Sequence, residues 1–112
     1  MKKTQAISSL SALAQETRLD VFRLLMQRLP DGVPAGELAL KFGVPPSTMS
    51  AHLAILTRAG LTQSERQGRT IYYAAELDGI KSLLEFLVKD CCNGKPNACN
   101  KLLDAVLAPC CP

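Results

Sequence analysis

Residues 36–61 read GELALKFGVPPSTMSAHLAILTRAGL, and this stretch predicts two helices joined by a tight turn. A short helix over about residues 34–42 ends at Gly43, because glycine suits the position after a helix. Pro45 and Pro46 fix the start of a second helix, which runs to about residue 59 before Gly60 ends it. In that second helix, apolar side chains recur at Met49, Leu53 and Leu56 and make one buried stripe.

The rest of the second helix has a small, polar surface. This surface comprises Ser47, Ser50, Ala51, Ala54 and Arg58. Bulky side chains would hold a helix away from a nucleic-acid groove, whereas small polar ones let it enter. The pattern is therefore typical of a helix that is inserted into the major groove of DNA.

The flanking residues complete a recognisable arrangement. In chain order, the other predicted elements are helices at about 5–14 and 16–29, strands at 61–66 and 70–75 around a Gln67-Gly68-Arg69 turn, and helices at about 78–90 and 98–108. Two closely spaced helices followed by a basic hairpin indicate a winged helix-turn-helix. The fold class we predict is mainly α with a small β-hairpin.

Length and composition limit the alternatives. The chain has 112 residues, of which 47% are hydrophobic and 4% aromatic, so we expect one domain over 1–112 with an aliphatic core and a cysteine-rich C-terminal segment at 89–112. No apolar run reaches the roughly 18 residues that a membrane span requires, so no membrane partner is expected. A large two-domain enzyme is excluded by size.

The N-terminus resembles a signal peptide at first sight, because two lysines precede an apolar stretch. Ser8, Ser9 and Ser11 interrupt that stretch, however, and make it too polar and too short. The spacing of Ile7, Leu10 and Leu13 is instead helical. We therefore expect a first helix, a cytoplasmic location and mostly reduced thiols.

The net charge of +3 is concentrated in the middle of the chain. Residues 41–73 carry Lys41, Arg58, Arg66 and Arg69 against Glu65 alone, a local balance of +3. A local basic excess is expected of a phosphate-binding surface. From charge alone, an ordinary solvated face is an equally good interpretation.

Three stretches together resemble the ArsR/SmtB family of metal-sensing repressors. They are LAQETRLDVFRLL at 13–25, the 36–61 stretch with Ser50-Ala51-His52-Leu53 and Ala59-Gly60-Leu61, and RQGRTIYY at 66–73. The resemblance implies a homodimer whose interface is formed by the first and fifth helices and which binds an imperfect inverted repeat in operator DNA. Interface positions would be Ile7, Leu10, Leu13, Leu83, Leu87 and Val88.

The resemblance and the residue chemistry together give the candidate DNA contacts. On the second helix of the pair these are Ser47, Thr48, Ser50, Ala51, His52 and Arg58, and on the hairpin they are Arg66, Gln67 and Arg69. The hydroxyls can contact phosphates or base edges, and the hairpin cations suit the phosphate backbone or the minor groove. His52 is the only histidine, and we interpret it as a helix-packing or phosphate-contacting residue rather than a metal ligand.

All five cysteines follow residue 90, and their odd number argues against a secreted disulfide scaffold. The sites of two family lineages are missing, because the third predicted helix has no cysteine and the fifth has no histidine. Cys91, Cys92 and Cys99 resemble another arsenic-sensor lineage, with a vicinal pair at the end of the fifth helix and a third cysteine soon after. Soft thiolates suit trivalent arsenic or antimony as inducer, without an organic cofactor.

Other interpretations of the cysteines stay open. Cys110 and Cys111 form a second vicinal pair, which would be an additional soft-metal site or a mobile tail. Cadmium, lead or bismuth could replace arsenic, and a disulfide would make the chain a redox sensor. A metal buffer that uses the tail alone is a further alternative. A thiol enzyme is not expected, because no glycine-rich phosphate cradle adjoins the cysteines.

Overall fold

The computed structural model describes residues 1–88 and confirms the mainly α fold with a β-hairpin. Its elements are α1 (Lys3–Leu13), α2 (Glu16–Arg28), β1 (Val33–Pro34), α3 (Ala35–Phe42), α4 (Pro46–Arg58), β2 (Thr62–Gln67), β3 (Thr70–Ala75) and α5 (Leu77–Val88). No helix in this described part is long and apolar enough to cross a bilayer. The helix predicted at 98–108 lies outside the described residues.

The core is mainly aliphatic, as the composition predicts, although it also contains the side chain of Phe22. The side chains of Leu25, Leu38, Leu53 and Leu56 are fully buried, and Met49 is 1% exposed. The predicted stripe on α4 is therefore confirmed, and it packs against α2 and α3. Burying a leucine or methionine side chain contributes about 1.5–3 kcal/mol, so this stripe fixes which face of α4 is left outside.

The sheet has one strand more than the sequence predicts. β1 pairs antiparallel with β3, with Val33 opposite Tyr73 and Pro34 opposite Tyr72, and gives the strand order β1-β3-β2. Two residues are too short to show an alternating pattern. Only the tertiary fold brings Val33, which is 1% exposed, against the hairpin.

The predicted hairpin is corrected at its turn. Gln67 is not a turn residue, because it pairs with Thr70 and ends β2, which leaves Gly68 and Arg69 as the connection. Strand β2 correspondingly begins at Thr62 rather than Leu61, which is fully buried. Two-residue connections are the commonest way to join antiparallel strands.

The predicted interface set is corrected at Leu83. This side chain is only 2% exposed within a single chain, because α5 packs on α1 and covers its inward face. Leu13 is half-buried and packs against the core. The predicted positions Ile7, Leu10 and Leu87 are exposed. Leu84, which is not one of the predicted interface positions, is exposed as well.

Candidate DNA-binding surface

The turn between α3 and α4 sets the angle of the exposed helix. Gly43 has φ +64°, a left-handed conformation that favours glycine and closes α3. The amide of Val44 donates to the carbonyl of Ala39 at 3.1 Å. Pro46 then occupies the first position of α4, where a missing amide hydrogen costs nothing. These local preferences direct α4 outward from the turn.

Helix α4 presents the small polar face that its sequence predicts. Ser47, Thr48, Ser50, Ala51 and Arg58 are all exposed. The buried stripe holds the opposite face of the helix. The free face has short hydroxyl and methyl side chains, which allow a close approach to base edges and phosphates.

His52 lies differently from its neighbours, because it is half-buried beside Arg18 of α2. The Nη1 of Arg18 is 3.4 Å from Nδ1 of His52. The Nε of the same guanidinium donates to the carbonyl of Ala12 at 2.7 Å. Arg18 therefore joins the end of α1 to the exposed helix, and His52 packs between helices while keeping part of its ring accessible.

The hairpin, or wing, carries the predicted basic residues. Arg66, Gln67 and Arg69 are exposed at its tip. Nε of Arg66 donates to the carbonyl of Gly68 at 3.2 Å and so braces the turn. Arg69 has no ion pair among the described residues, so its charge is available to an anion such as a phosphate.

The wing is attached firmly to the end of α4. The hydroxyls of Thr57 and Thr62 share a hydrogen bond of 2.8 Å, and Thr62 is only 3% exposed. The amide of Leu61 donates to the carbonyl of Leu56 at 3.0 Å. Because both bonds span the junction, α4 and the wing form one surface rather than two independent parts.

Two structural residues of this surface were missed from sequence. Ser9 of α1 is 1% exposed and donates its hydroxyl to the carbonyl of Ala59 at 3.2 Å. Its spacing from Ala6 and Ala12, which are also buried, is the three-residue repeat of a closely packed helix face. Arg18 lies three residues before the buried Val21, on the same face of α2. A charged residue on an otherwise buried helix face indicates a side chain that has partners within the protein.

The predicted thiol ligands Cys91, Cys92 and Cys99, and the additional pair Cys110 and Cys111, lie outside the described residues. Within 1–88, no group of three or more His, Cys, Asp or Glu side chains could hold a metal ion. Helix α5 is described as far as Val88, three residues before the first cysteine in the chain.

Comparison with known proteins identifies a helix-turn-helix domain and relatives that regulate transcription. A helix-turn-helix domain family matches residues 13–65, which include α2 to α4 and most of β2. The transcriptional activator HlyU of Vibrio cholerae is 31% identical over 83 residues, which cover 74% of each chain. Its solved structure has a TM-score of 0.63 and covers 80% of this chain and 96% of HlyU. A reduced form of HlyU from the same organism gives a TM-score of 0.61 at 30% identity, over 80% and 90% of the two chains.

Two further solved structures are similar over most of the described residues. One is the homodimeric winged helix-turn-helix DNA-binding domain Mb0332 of Mycobacterium bovis, described as a possible ArsR-family regulator; it is 28% identical, with a TM-score of 0.63 over 76% and 77% of the two chains. The other is described as a possible transcriptional regulator for arsenical resistance and is 30% identical, with a TM-score of 0.64 over 71% and 80%. These relatives are regulators of transcription, not enzymes.

Proposed function

This chain belongs to the ArsR-type winged helix-turn-helix transcriptional regulators, and on that premise we propose that it is a homodimeric repressor that trivalent arsenic or antimony releases from operator DNA. The observation that carries the proposal is that all five cysteines follow residue 90, directly after the helical domain. The proposal places the protein in the cytoplasm, where thiols are kept reduced.

In this proposal α4 reads the major groove and the wing contacts the backbone. Ser50 and Ala51 lie on the free face of α4, where a hydroxyl and a methyl group can meet base edges. Arg66 and Arg69 of the wing then bind phosphates, a contact that supplies affinity and register but no sequence information. The bond between Thr57 and Thr62 keeps the two contacts in a fixed relation.

The proposed dimer interface is the exposed apolar face of α1 and α5. Ile7 is 58% exposed, Leu10 is 43%, Leu84 is 44% and Leu87 is 50%. Large apolar side chains exposed together on adjoining helices favour burial against an identical face. Pairing this face places two copies of α4 on one DNA duplex, as a palindromic operator requires.

The thiolates of Cys91, Cys92 and Cys99 would hold the inducer. Soft sulfur ligands select soft ions, and trivalent arsenic takes three ligands on one side of its lone pair. The relative described as a possible regulator for arsenical resistance supports the same class of inducer. Release requires that the inducer bind the DNA-free dimer more tightly, and a coupling of about 1–3 kcal/mol lowers operator affinity roughly 5–150-fold.

Cysteine variants test this assignment. We expect C91S and C92S to bind DNA normally but to remain bound at arsenite concentrations that release the original chain. C110S is the matched control, because it removes a thiol of the second vicinal pair, and we expect it to respond normally. If C91S is released by arsenite as the original chain is, the assigned site is wrong.

A second candidate function is thiol-based redox sensing, and the solved reduced form of HlyU favours it. Here two cysteine thiols lose two electrons and two protons to form a disulfide, and peroxide is reduced to two molecules of water. Peroxide would then release DNA without any metalloid, and a dithiol reductant would restore binding. An unchanged response in chains that lack Cys99 and Cys110 together would exclude disulfides that involve these two positions.

A further inference from the structure

Helix α5 has a glycine in its first turn that its helical propensity does not explain. Gly79 is the third residue of α5, and alanine is a better helix former than glycine. A side chain at this position has no room, however. A Cβ atom built on Gly79 would overlap the carbonyl oxygen of Gly60 and lie 2.8 Å from its carbon.

The partner of this contact is the segment that follows α4, which is the recognition helix of the proposed function. Gly60 comes two residues after the last residue of α4, next to the C-cap residue Ala59, and has φ +80°. A second bond holds the same segment, because the amide of Glu76 donates to the carbonyl of Leu61 at 2.9 Å. The backbone at the start of α5 therefore packs directly against the backbone of the residues that follow α4.

Helix α1 also contacts the segment that follows α4. The buried hydroxyl of Ser9 donates to the carbonyl of Ala59 at 3.2 Å. Ser9 and Gly79 thus lie on the two helices that carry the exposed apolar side chains Ile7 and Leu87. We call the Ser9–Ala59 bond and the Gly79–Gly60 contact together the α4 joint.

We infer that the α4 joint fixes the position of the recognition helix relative to α1 and α5, the helices of the proposed dimer interface. It thereby sets the spacing between half-sites that the dimer accepts. Ser9 and Gly79 are positioning residues, since they act on DNA through α4. The inference rests on the proposed dimer through α1 and α5. In a two-fold dimer, any displacement at the joint occurs in both protomers.

The geometry gives the expected size of the effect. Relieving the overlap of a new methyl group requires a shift on the order of 1 Å in each protomer, because the atoms that it meets belong to the backbone of Gly60 and not to a flexible side chain. Two such shifts are a sizeable part of the ~3.4 Å rise of one base pair. The α4 joint also connects α4 to α5, the helix that precedes the cysteines. A movement of α5 would therefore displace the face of α4 that is proposed to read DNA.

The test uses the full reduced chain and a pool of duplexes with random sequence, from which bound DNA is selected and sequenced. We expect the original chain to enrich inverted repeats of one spacing. Dissociation constants are then measured for duplexes with that spacing and for duplexes with one base pair added or removed at the centre. The spacing ratio is the dissociation constant for an altered duplex divided by that for the preferred spacing. Duplexes with a single half-site measure how well α4 reads DNA by itself.

We expect G79A to lower the spacing ratio at least about fivefold, or to shift its optimum by one base pair, while single half-site affinity stays within about twofold. The matched control is G36A on α3, where an added Cβ meets nothing within 4 Å. S9A removes the hydroxyl without adding volume, and we expect it to broaden the accepted spacing. Its control is S8A, which changes an exposed serine of the same helix.

The outcomes separate the joint from the proposed function. If the original chain enriches no inverted repeat, the proposed dimeric operator binding fails. If the original chain enriches an inverted repeat, and folded G79A and S9A both keep the spacing ratio of the original chain, the inferred role of the α4 joint is wrong. If circular dichroism shows that G79A does not fold, S9A compared with S8A decides the question alone.

Discussion

Nη1 of Arg18 lies 3.4 Å from Nδ1 of His52, and this contact connects α2 to α4. A guanidinium group only donates hydrogen bonds, so the bond requires that Nδ1 accept. In the neutral imidazole the proton is then on Nε2. That nitrogen is a donor, the type of group that a phosphate oxygen or a purine N7 accepts from.

The tautomer of His52 is directly measurable, because it is the only histidine in the chain. We expect the neutral ring in the untagged protein to carry its proton on Nε2, as read from nitrogen-15 NMR of the imidazole. Removing the donor with R18A should reduce that preference. R23A is the control, since Arg23 is exposed on the same helix. A ring that carries its proton on Nδ1 in the original chain would contradict the contact.

Replacing Arg69 in the wing tests the phosphate contacts. We expect R69A to weaken binding to all duplexes by a similar factor and to lower the slope of log K against log salt by about 1. Fluorescence anisotropy at several salt concentrations measures both. K81A provides the comparison, because Lys81 lies on α5 and not on the wing, with its Nζ 4.0 Å from Oε1 of Glu85. Equal slopes for R69A and the original chain would remove Arg69 from the DNA surface.

A charge placed on the exposed face of α1 tests the proposed interface. We expect I7D to raise the dimer dissociation constant at least about tenfold, because each aspartate would be desolvated against an apolar face. Analytical ultracentrifugation gives the constant. L40D is a demanding control, because Leu40 is 86% exposed but lies on α3. Dissociation of L40D to the same extent as I7D would place the interface elsewhere.

Truncating a side chain of the buried stripe on α4 tests its contribution to the free energy of unfolding. Leu53 is fully buried, and we expect L53A to lower the free energy of unfolding by about 2–5 kcal/mol. Ile55 on the same helix is 36% exposed, so I55A should cost less than half as much. Urea titrations at one fixed protein concentration make the comparison fair, because dimerisation contributes to the measured stability. Equal losses would show that α4 does not bury the face described.

The sequence predicts those parts of the fold that depend on local patterns. Apolar spacing in α4, the prolines before it and the glycines that end helices are read from neighbouring residues. The predicted helix bounds that fall within residues 1–88 agree with the structure to within about two positions. Strand β1 depends instead on contact with β3, so its two residues carry no local signal. The burial of Leu83 similarly depends on how α5 packs against α1.

The candidate site divides in the same way. The exposure of Ser50 follows from the helical pattern of α4 and that of Arg69 from its place in the hairpin turn, so the sequence predicts both. The contacts of Ser9 and Arg18 join residues 50 and 34 positions apart, and no local pattern encodes such distances. These long-range bonds connect α1 and α2 to α4 and the residue after it, and only the folded chain reveals them.

The central claim is that trivalent arsenic releases this regulator from DNA, and one titration tests it most directly. Fluorescence anisotropy follows the reduced dimer on a labelled duplex from its own upstream region, with arsenite, methylarsenite, cadmium, zinc and peroxide added separately. We predict release by a trivalent arsenical at concentrations where zinc and peroxide have no effect. Retention of DNA under both arsenicals, with release by peroxide alone or by none of the additions, would contradict the claim.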